Sequence, residues 1–147
     1  MNIITKQVKD KPLTITVEYP EFDNKIQTII NKINSLDLKI NCNGNGILFS
    51  ISITNIYYIE SVERKTFIYT KNEIYISDKK LYELEQFLTG TSIVRVGKSC
   101  LMNMDMLYSI KQLLNSQLEA TLSNGEKLIV ARTYIKSIKK KLMEEVQ

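Results

Sequence analysis

The chain has 147 residues, of which 44% are hydrophobic and 24% charged, a balance typical of one folded domain with at most a small appendage. Its net charge of +4 is by itself weak evidence for nucleic-acid binding, because many basic domains simply carry solvated lysines. No apolar run is long enough to span a bilayer, and the N-terminus lacks the apolar region of a signal peptide, so we expect a cytoplasmic protein.

The chain lacks several features on which catalytic sites depend. It has no histidine, which removes the commonest general base and the commonest metal ligand. The Asn-Gly-Asn-Gly segment at residues 43–46 is a turn signal that no helix pattern follows, so it does not resemble a phosphate-binding loop. Cys42 and Cys100 have no metal-like spacing and are expected to be reduced packing residues. We therefore expect no catalysis, no cofactor and no metal site.

Residues 1–40 are predicted to form a strand–helix unit. Residues 13–19 alternate apolar and polar side chains, which predicts a half-buried strand ended by Pro20. A helical period follows over residues 22–36. Its apolar side chains are Phe22, Ile26, Ile29, Ile30, Ile33 and Leu36. We expect this helix to dock on the core of its own domain, with a dimer or partner surface as the alternative. A seam near residues 37–46 would then separate the unit from a second domain, residues 41–147.

The second domain is predicted to be rich in strands. The segments with strand patterns are residues 47–54, 56–60, 66–70, 73–77, 93–96, 106–111, 117–122 and 126–131. Asn124-Gly125 predicts a type I′ hairpin turn, which needs positive φ at both central positions. Helical spacing appears only over residues 78–88 and after Arg132, where Ile135 and Ile138 align. The predicted fold class is therefore mainly β with short helices, α+β.

Three short basic segments interrupt or end these strand patterns. Arg64-Lys65 lies between two strands, Lys98-Ser99 follows a strand and a glycine, and Arg132 stands between the last hairpin and the terminal helix. Each of the first two could be a solvated surface turn. Arg132 is more informative, because its planar donor fork fits the O6 and N7 atoms of guanine. The first amides of the helix, together with Thr133, could hold a phosphate.

In order and spacing these segments are similar to a known family. The phrases are Tyr58-Ile59-Glu60-Ser61, then Arg64-Lys65, then the run from Val94 to Asn103, and last a strand that closes before Arg132 and a helix. Over roughly residues 45–142 the chain resembles the LytTR family of bacterial DNA-binding domains, and we expect a stand-alone member without a receiver domain. The resemblance implies an elongated stack of small antiparallel sheets with short helices, preceded in this chain by the N-terminal strand–helix unit. It also implies loops that read successive major grooves of direct-repeat sites, with two bound copies.

The resemblance also implies roles for individual residues. The residues matching base-reading positions are Lys65, Thr66, Lys98 and Arg132. The residues matching phosphate-contacting positions are Arg64, Ser99, Thr133 and Lys136. Asn103 matches a structural asparagine whose side chain would close the turn after Leu101-Met102. Gly97 stands where the family commonly has histidine, and Ala131 where it has serine, so base preference should differ from that of typical members.

The function expected from these residues is a transcription regulator that binds specific double-stranded DNA. Its partners would be promoter direct repeats and, at least on DNA, a second copy of the chain. The resemblance adds a small membrane protein as a possible regulatory partner. The alternative from a different class is a β-rich protein-interaction module whose basic surface is merely solvated.

Overall fold

A computed structural model of the chain describes residues 1–146, with side chains described through residue 143. Gln147, the last residue of the predicted second domain, lies outside the described residues. The described helices are α1 (Asn24–Ser35), α2 (Leu81–Phe87) and α3 (Arg132–Val146). The described strands are β1 (Lys39–Gly44), β2 (Ile47–Ser52), β3 (Ile56–Val62), β4 (Lys65–Thr70), β5 (Ile74–Ser77), β6 (Ile93–Gly97), β7 (Cys100–Asn103), β8 (Leu107–Gln112), β9 (Leu118–Leu122) and β10 (Lys127–Val130).

The strands form two sheets with antiparallel pairing. The larger sheet has seven strands in the order β2-β1-β5-β4-β3-β7-β6, and the smaller has three in the order β10-β9-β8. Neighbouring strands that follow each other in sequence are joined by short turns, as antiparallel pairing allows. The predicted fold class, mainly β with short helices, is confirmed.

Two clusters of buried side chains cover the two faces of the larger sheet. On one face, Leu81 and Leu84 of α2, with Leu88 directly after the helix, pack against isoleucines such as Ile59 and Ile68. On the other face lies the smaller sheet together with α3; the buried side chains there include Tyr58, Met102, Leu118, Leu122 and Ile138. Because both faces near β3 and β7 are covered, these two neighbouring strands are held in a fixed position.

Helix α1 docks on the body of the domain, as expected. It begins after Asp23, whose carboxylate oxygen accepts a hydrogen bond of 2.9 Å from the Ile26 amide and so caps the first turn. The helix contacts α3, and Lys32 Nζ lies 3.5 Å from a carboxylate oxygen of Asp105. Its apolar face is only partly covered, since Phe22 is 57% and Leu36 58% exposed.

The structure differs from the sequence prediction in three segments. Residues 13–19 form no strand, because an extended segment becomes a strand only where a neighbouring chain accepts its backbone hydrogen bonds. The segment 37–46 contains the whole of β1, which pairs with β2 and β5, and β7 was not predicted. In β1 the alternation was masked because its outward positions hold the turn-forming Asn41 and Asn43.

The turn predictions were right about position and partly right about type. Asn45 and Gly46 have φ values of 52° and 77°, as a two-residue hairpin turn of type I′ requires. The hairpin at Asn124-Gly125 is confirmed, but the predicted type I′ turn is wrong. Gly125 has a φ of 89° whereas Asn124 does not have positive φ, and the Leu122 amide donates to the Glu126 carbonyl, so the loop has three residues.

Candidate nucleic-acid interface

The β3–β4 hairpin carries the first basic segment at its tip. Val62 pairs with Lys65, so Glu63 and Arg64 form a two-residue turn. Their φ values of 50° and 66° are those of a type I′ turn made without glycine or asparagine. Arg64 and Lys65 are exposed and point away from a well-packed hairpin.

A backbone hydrogen bond brings the second basic segment beside this turn. The Ser61 amide of β3 donates to the Ser99 carbonyl at 2.8 Å. Because β3 and β7 are antiparallel neighbours, the β3–β4 turn and the β6–β7 turn end at the same side of the sheet. Lys98 and Ser99 form the tip of the β6–β7 turn, and both are exposed.

A second backbone hydrogen bond brings the third basic segment to the same place. The Ala131 amide donates to the Val96 carbonyl at 2.9 Å, which ties the β10–α3 junction to the end of β6. Arg132 is the first residue of α3, and Lys136 follows one helical turn later on the same side. The opposite side of the helix is buried through Ile138, so the basic side of this helix faces solvent.

Seven of the eight residues singled out from the sequence are thus exposed at one end of the molecule, which we call the basic edge. They are Arg64, Lys65, Lys98, Ser99, Arg132, Thr133 and Lys136. The eighth, Thr66, is only 4% exposed. It lies on the same side of β4 as the buried Ile68, so its hydroxyl is turned away from any ligand of the edge.

Gly97 lies at the basic edge, whereas Asn103 lies at the opposite end of β7. Gly97 does not have positive φ, and a Cβ built there would meet nothing nearer than the Ile129 carbonyl oxygen at 4.0 Å. An alanine would therefore fit at position 97. The Asn103 amide donates to the Ile56 carbonyl at 2.7 Å, and its oxygen accepts from the Asp105 amide at 3.0 Å. This confirms its expected structural role, since it closes the turn after β7.

Arg95 is a residue for which the sequence analysis assigned no role. Its guanidinium donates from Nε to the Gly97 carbonyl at 2.8 Å and from Nη2 to the Lys98 carbonyl at 2.8 Å. Its Nη1 lies 3.1 Å from a carboxylate oxygen of Glu85 on α2. The available signal was its position: Arg95 shares a strand face with the buried Ile93, where an arginine needs a polar partner.

Cys100 lies beside the basic edge, but its thiol is not activated. Burial, reinforced by the charge of Glu60 and opposed by that of Arg95, raises the pKa of Cys100 to about 12, so its thiol is not a nucleophile at neutral pH. Within the residues that the structure describes, no cluster of three acidic or cysteine side chains could hold a metal ion.

None of the helices described here is long and apolar enough to cross a membrane.

The chain matches a family model. Residues 46–143 match the model described as the LytTr DNA-binding domain. A solved structure of similar fold is the LytTr DNA-binding domain of a methyl-accepting/DNA response regulator from Bacillus cereus. It has a TM-score of 0.66 and 20% sequence identity, and the match covers 71% of this chain and 95% of that one.

Curated relatives fall into two groups. The sensory transduction protein LytT of Enterococcus faecalis is 28% identical over 99 residues, which are 67% of this chain and 41% of that protein. LytT of Bacillus cereus is 33% identical over 92 residues, 63% of this chain and 37% of that protein. The chain thus spans about two fifths of the length of these LytT proteins. An uncharacterized HTH-type transcriptional regulator of Staphylococcus aureus is 28% identical over 133 residues, 87% of this chain and 88% of that protein.

Proposed function

The chain belongs to the family of LytTr DNA-binding domains, and from this premise we propose that it regulates transcription by binding specific double-stranded DNA through the basic edge. The observation that carries the proposal is the convergence of three sequence-distant segments, held together by the bonds from Ser61 to Ser99 and from Ala131 to Val96. Such convergence is unexpected for lysines that only solvate a surface, since solvation does not require basic residues to share one end.

Within the basic edge, Lys65, Lys98 and Arg132 read bases in this proposal. All three are exposed, and each lies at the end of a strand or at the start of a helix that is packed into the core. Arg132 can make two parallel hydrogen bonds to guanine, whereas the lysines act as single donors. The proposal leaves out Thr66 because its side chain is buried.

The remaining edge residues, Arg64, Ser99, Thr133 and Lys136, contact phosphates in this proposal. Arg64 and Lys136 are exposed cations, the first at the β3–β4 turn and the second on α3. The Thr133 hydroxyl and the amides of the first turn of α3 are the donors offered to a phosphate, apart from the Tyr134 amide, which donates to the Ala131 carbonyl. Contacts of this kind orient a protein on the duplex without reading its sequence.

We further propose that two copies bind direct repeats in promoter DNA as a homodimer. Support comes from residues 1–22, all of which except Val17 are exposed although several are large and apolar. The strand pattern of residues 13–19 has no partner in the single chain, and the outer edge of β2 carries the exposed side chains Ile47 and Leu48. Strand pairing between copies would satisfy both.

Location and regulation follow from this function as proposals. A protein that binds promoter DNA works in the cytoplasm of a bacterium, and the relatives named above are bacterial. A small membrane protein that restrains the regulator is a partner compatible with the exposed N-terminal residues. The competing function, a protein-interaction module with a solvated basic face, predicts no steep dependence of DNA affinity on salt.

Selection of bound sites from a random duplex library, followed by salt titration, tests the proposal. We expect enrichment of a repeated motif and a linear fall of log affinity with log salt concentration, because bound phosphates release counterions. Single-stranded DNA of the same sequence serves as the control and should bind more weakly. Recovery of no motif together with a flat salt dependence would favour the protein-interaction module instead.

A further inference from the structure

The Arg95 guanidinium faces inward although it lies next to the basic edge. Its side chain is 20% exposed, and three of its donors are already used by the Gly97 carbonyl, the Lys98 carbonyl and Glu85. The fork geometry of arginine allows these bonds to form together, which a lysine ammonium on a flexible stem cannot reproduce. Arg95 is therefore committed to the protein backbone rather than to a ligand.

The two carbonyls that Arg95 holds belong to the turn that presents Lys98. The register of β6 and β7 shifts between Arg95 and Gly97, so regular strand pairing does not define the backbone there. The guanidinium bonds take over at this irregularity. With the Ser61–Ser99 bond on the other side of the turn, they fix where the Lys98 side chain leaves the backbone.

Glu85 connects this arrangement to the hydrophobic core. It lies on α2 between the buried Leu84 and Leu88, so its backbone position is set by core packing. The ion pair at 3.1 Å between Glu85 and Arg95 orients the guanidinium. It also balances the arginine charge, which leaves Lys98 as the cation that this turn offers to DNA.

We propose that Arg95 is a positioning residue that sets the base preference contributed by Lys98, with Glu85 as its anchor on α2. The inference rests on the proposed function, in which Lys98 reads a base. Loss of the guanidinium bonds without loss of the positive charge, as in Arg95→Lys, should change which base is preferred at the position that Lys98 reads.

The test compares Arg95→Lys with Lys98→Ala on a library of duplexes that vary one position of the selected site at a time. We expect Lys98→Ala to lower discrimination at one position about fivefold, and Arg95→Lys to lower it at the same position. In the double variant, Arg95→Lys should add no further change there. Lys71→Arg is the control and should leave base preference unchanged, because Lys71 lies at the β4–β5 turn, at the other end of the sheet.

A second pair of variants tests whether Glu85 orients Arg95 through its oxygen acceptor or through its charge. Glu85→Gln keeps an oxygen acceptor for Nη1 and should retain base preference, whereas Glu85→Ala should shift preference in the direction of Arg95→Lys. Equal preference in Arg95→Lys, Glu85→Ala and the unaltered protein would overturn the proposal. So would a uniform loss of discrimination at every position of the site.

A measurement without DNA keeps this inference distinct from the proposed function. Backbone order parameters of Lys98 and Ser99 in the free protein should fall in Arg95→Lys, while those of the β3–β4 turn should not. Unchanged order parameters at Lys98 would overturn the positioning role even if the protein binds DNA as proposed. If the order parameters fall but neither the unaltered protein nor any variant binds duplex DNA specifically, Arg95 positions Lys98 as proposed and the proposed DNA-binding function is wrong.

Discussion

At the scale of single residues, two arginines near the same surface have different surroundings. Arg132 is exposed at the first position of α3, with its fork free to approach a groove. Arg95, one strand away, holds two carbonyls and a carboxylate. Each arginine adds one positive charge, so net charge does not distinguish them. Their hydrogen-bond partners do.

Replacing Arg132 by alanine tests whether this side chain reads a base. We expect a loss of about 1–3 kcal/mol in binding to the selected site, with relaxed preference at one base pair and an unchanged fold. Lys71→Ala is the control, because Lys71 is equally exposed but lies at the β4–β5 turn, at the other end of the sheet. Specific binding that is unaffected by Arg132→Ala in a folded protein would exclude the arginine as a reader.

The residue scale also shows what the sequence could and could not predict about the site. The family resemblance identified seven exposed residues of the basic edge, since motif spacing preserves chain order. It placed Thr66 among them although strand phase puts Thr66 on the side of Ile68, which is buried. It assigned no role to Arg95, because the partner Glu85 lies ten residues away on a helix and only the fold brings them together.

At the scale of elements, the β3–β4 turn is built against local preference. Residues other than glycine and asparagine are disfavoured at positive φ, yet Glu63 and Arg64 both adopt it. Strain of this kind persists where the surrounding structure imposes it and where side chains are needed for function. The turn is therefore less stable than one with glycine or asparagine at these positions. In the proposed function, Arg64 contacts a phosphate.

Substituting this turn separates stability from binding. Arg64→Gly should stabilise the protein by about 1 kcal/mol, because glycine accepts positive φ without a steric cost, and should weaken DNA binding. Glu63→Asn is the matched change: it relieves the same turn, keeps Arg64, and should leave binding equal or stronger. Thermal unfolding and duplex titration measure the two effects. Undiminished binding by Arg64→Gly would remove Arg64 from the phosphate contacts.

Elements also differ in how well the sequence predicted them. Strands with apolar alternation, such as β4 and β9, were found within a residue or two of their ends. The short β7 was hidden inside the phrase that carries Lys98, because its residues Leu101, Met102 and Asn103 are all buried and do not alternate. Residues 13–19 show the opposite case, since alternation alone cannot supply a neighbouring strand.

At the scale of the whole molecule, the N-terminal residues and the basic edge have separate tasks in this account. Residues 1–22 are exposed apart from Val17, whereas α1 contacts α3, the helix that begins with Arg132. The first stretch therefore contributes little to the stability of one chain, and α1 contributes more. This difference allows assembly and folding to be tested apart.

Two truncations make that test. A chain starting at Glu21 should keep its stability and its affinity for one half-site, but lose dimerisation and cooperativity on tandem repeats, because only the unpaired segment is removed. A chain starting at Leu38 should in addition be less stable, since it lacks α1 and its contact with α3. Sedimentation and binding to one and two repeats measure the outcome. Unaltered dimerisation by the chain starting at Glu21 would show that these residues serve another purpose.

In the proposed function DNA binds at one end of the molecule, the basic edge. Titration of ¹⁵N-labelled protein with the selected duplex, followed at each backbone amide, locates the bound surface. We expect the largest shifts at residues 63–65, 97–99 and 131–136, with the β4–β5 turn at Lys71 unaffected. Shifts centred on the β4–β5 turn or on the N-terminal residues, with the three basic segments unperturbed, would contradict it.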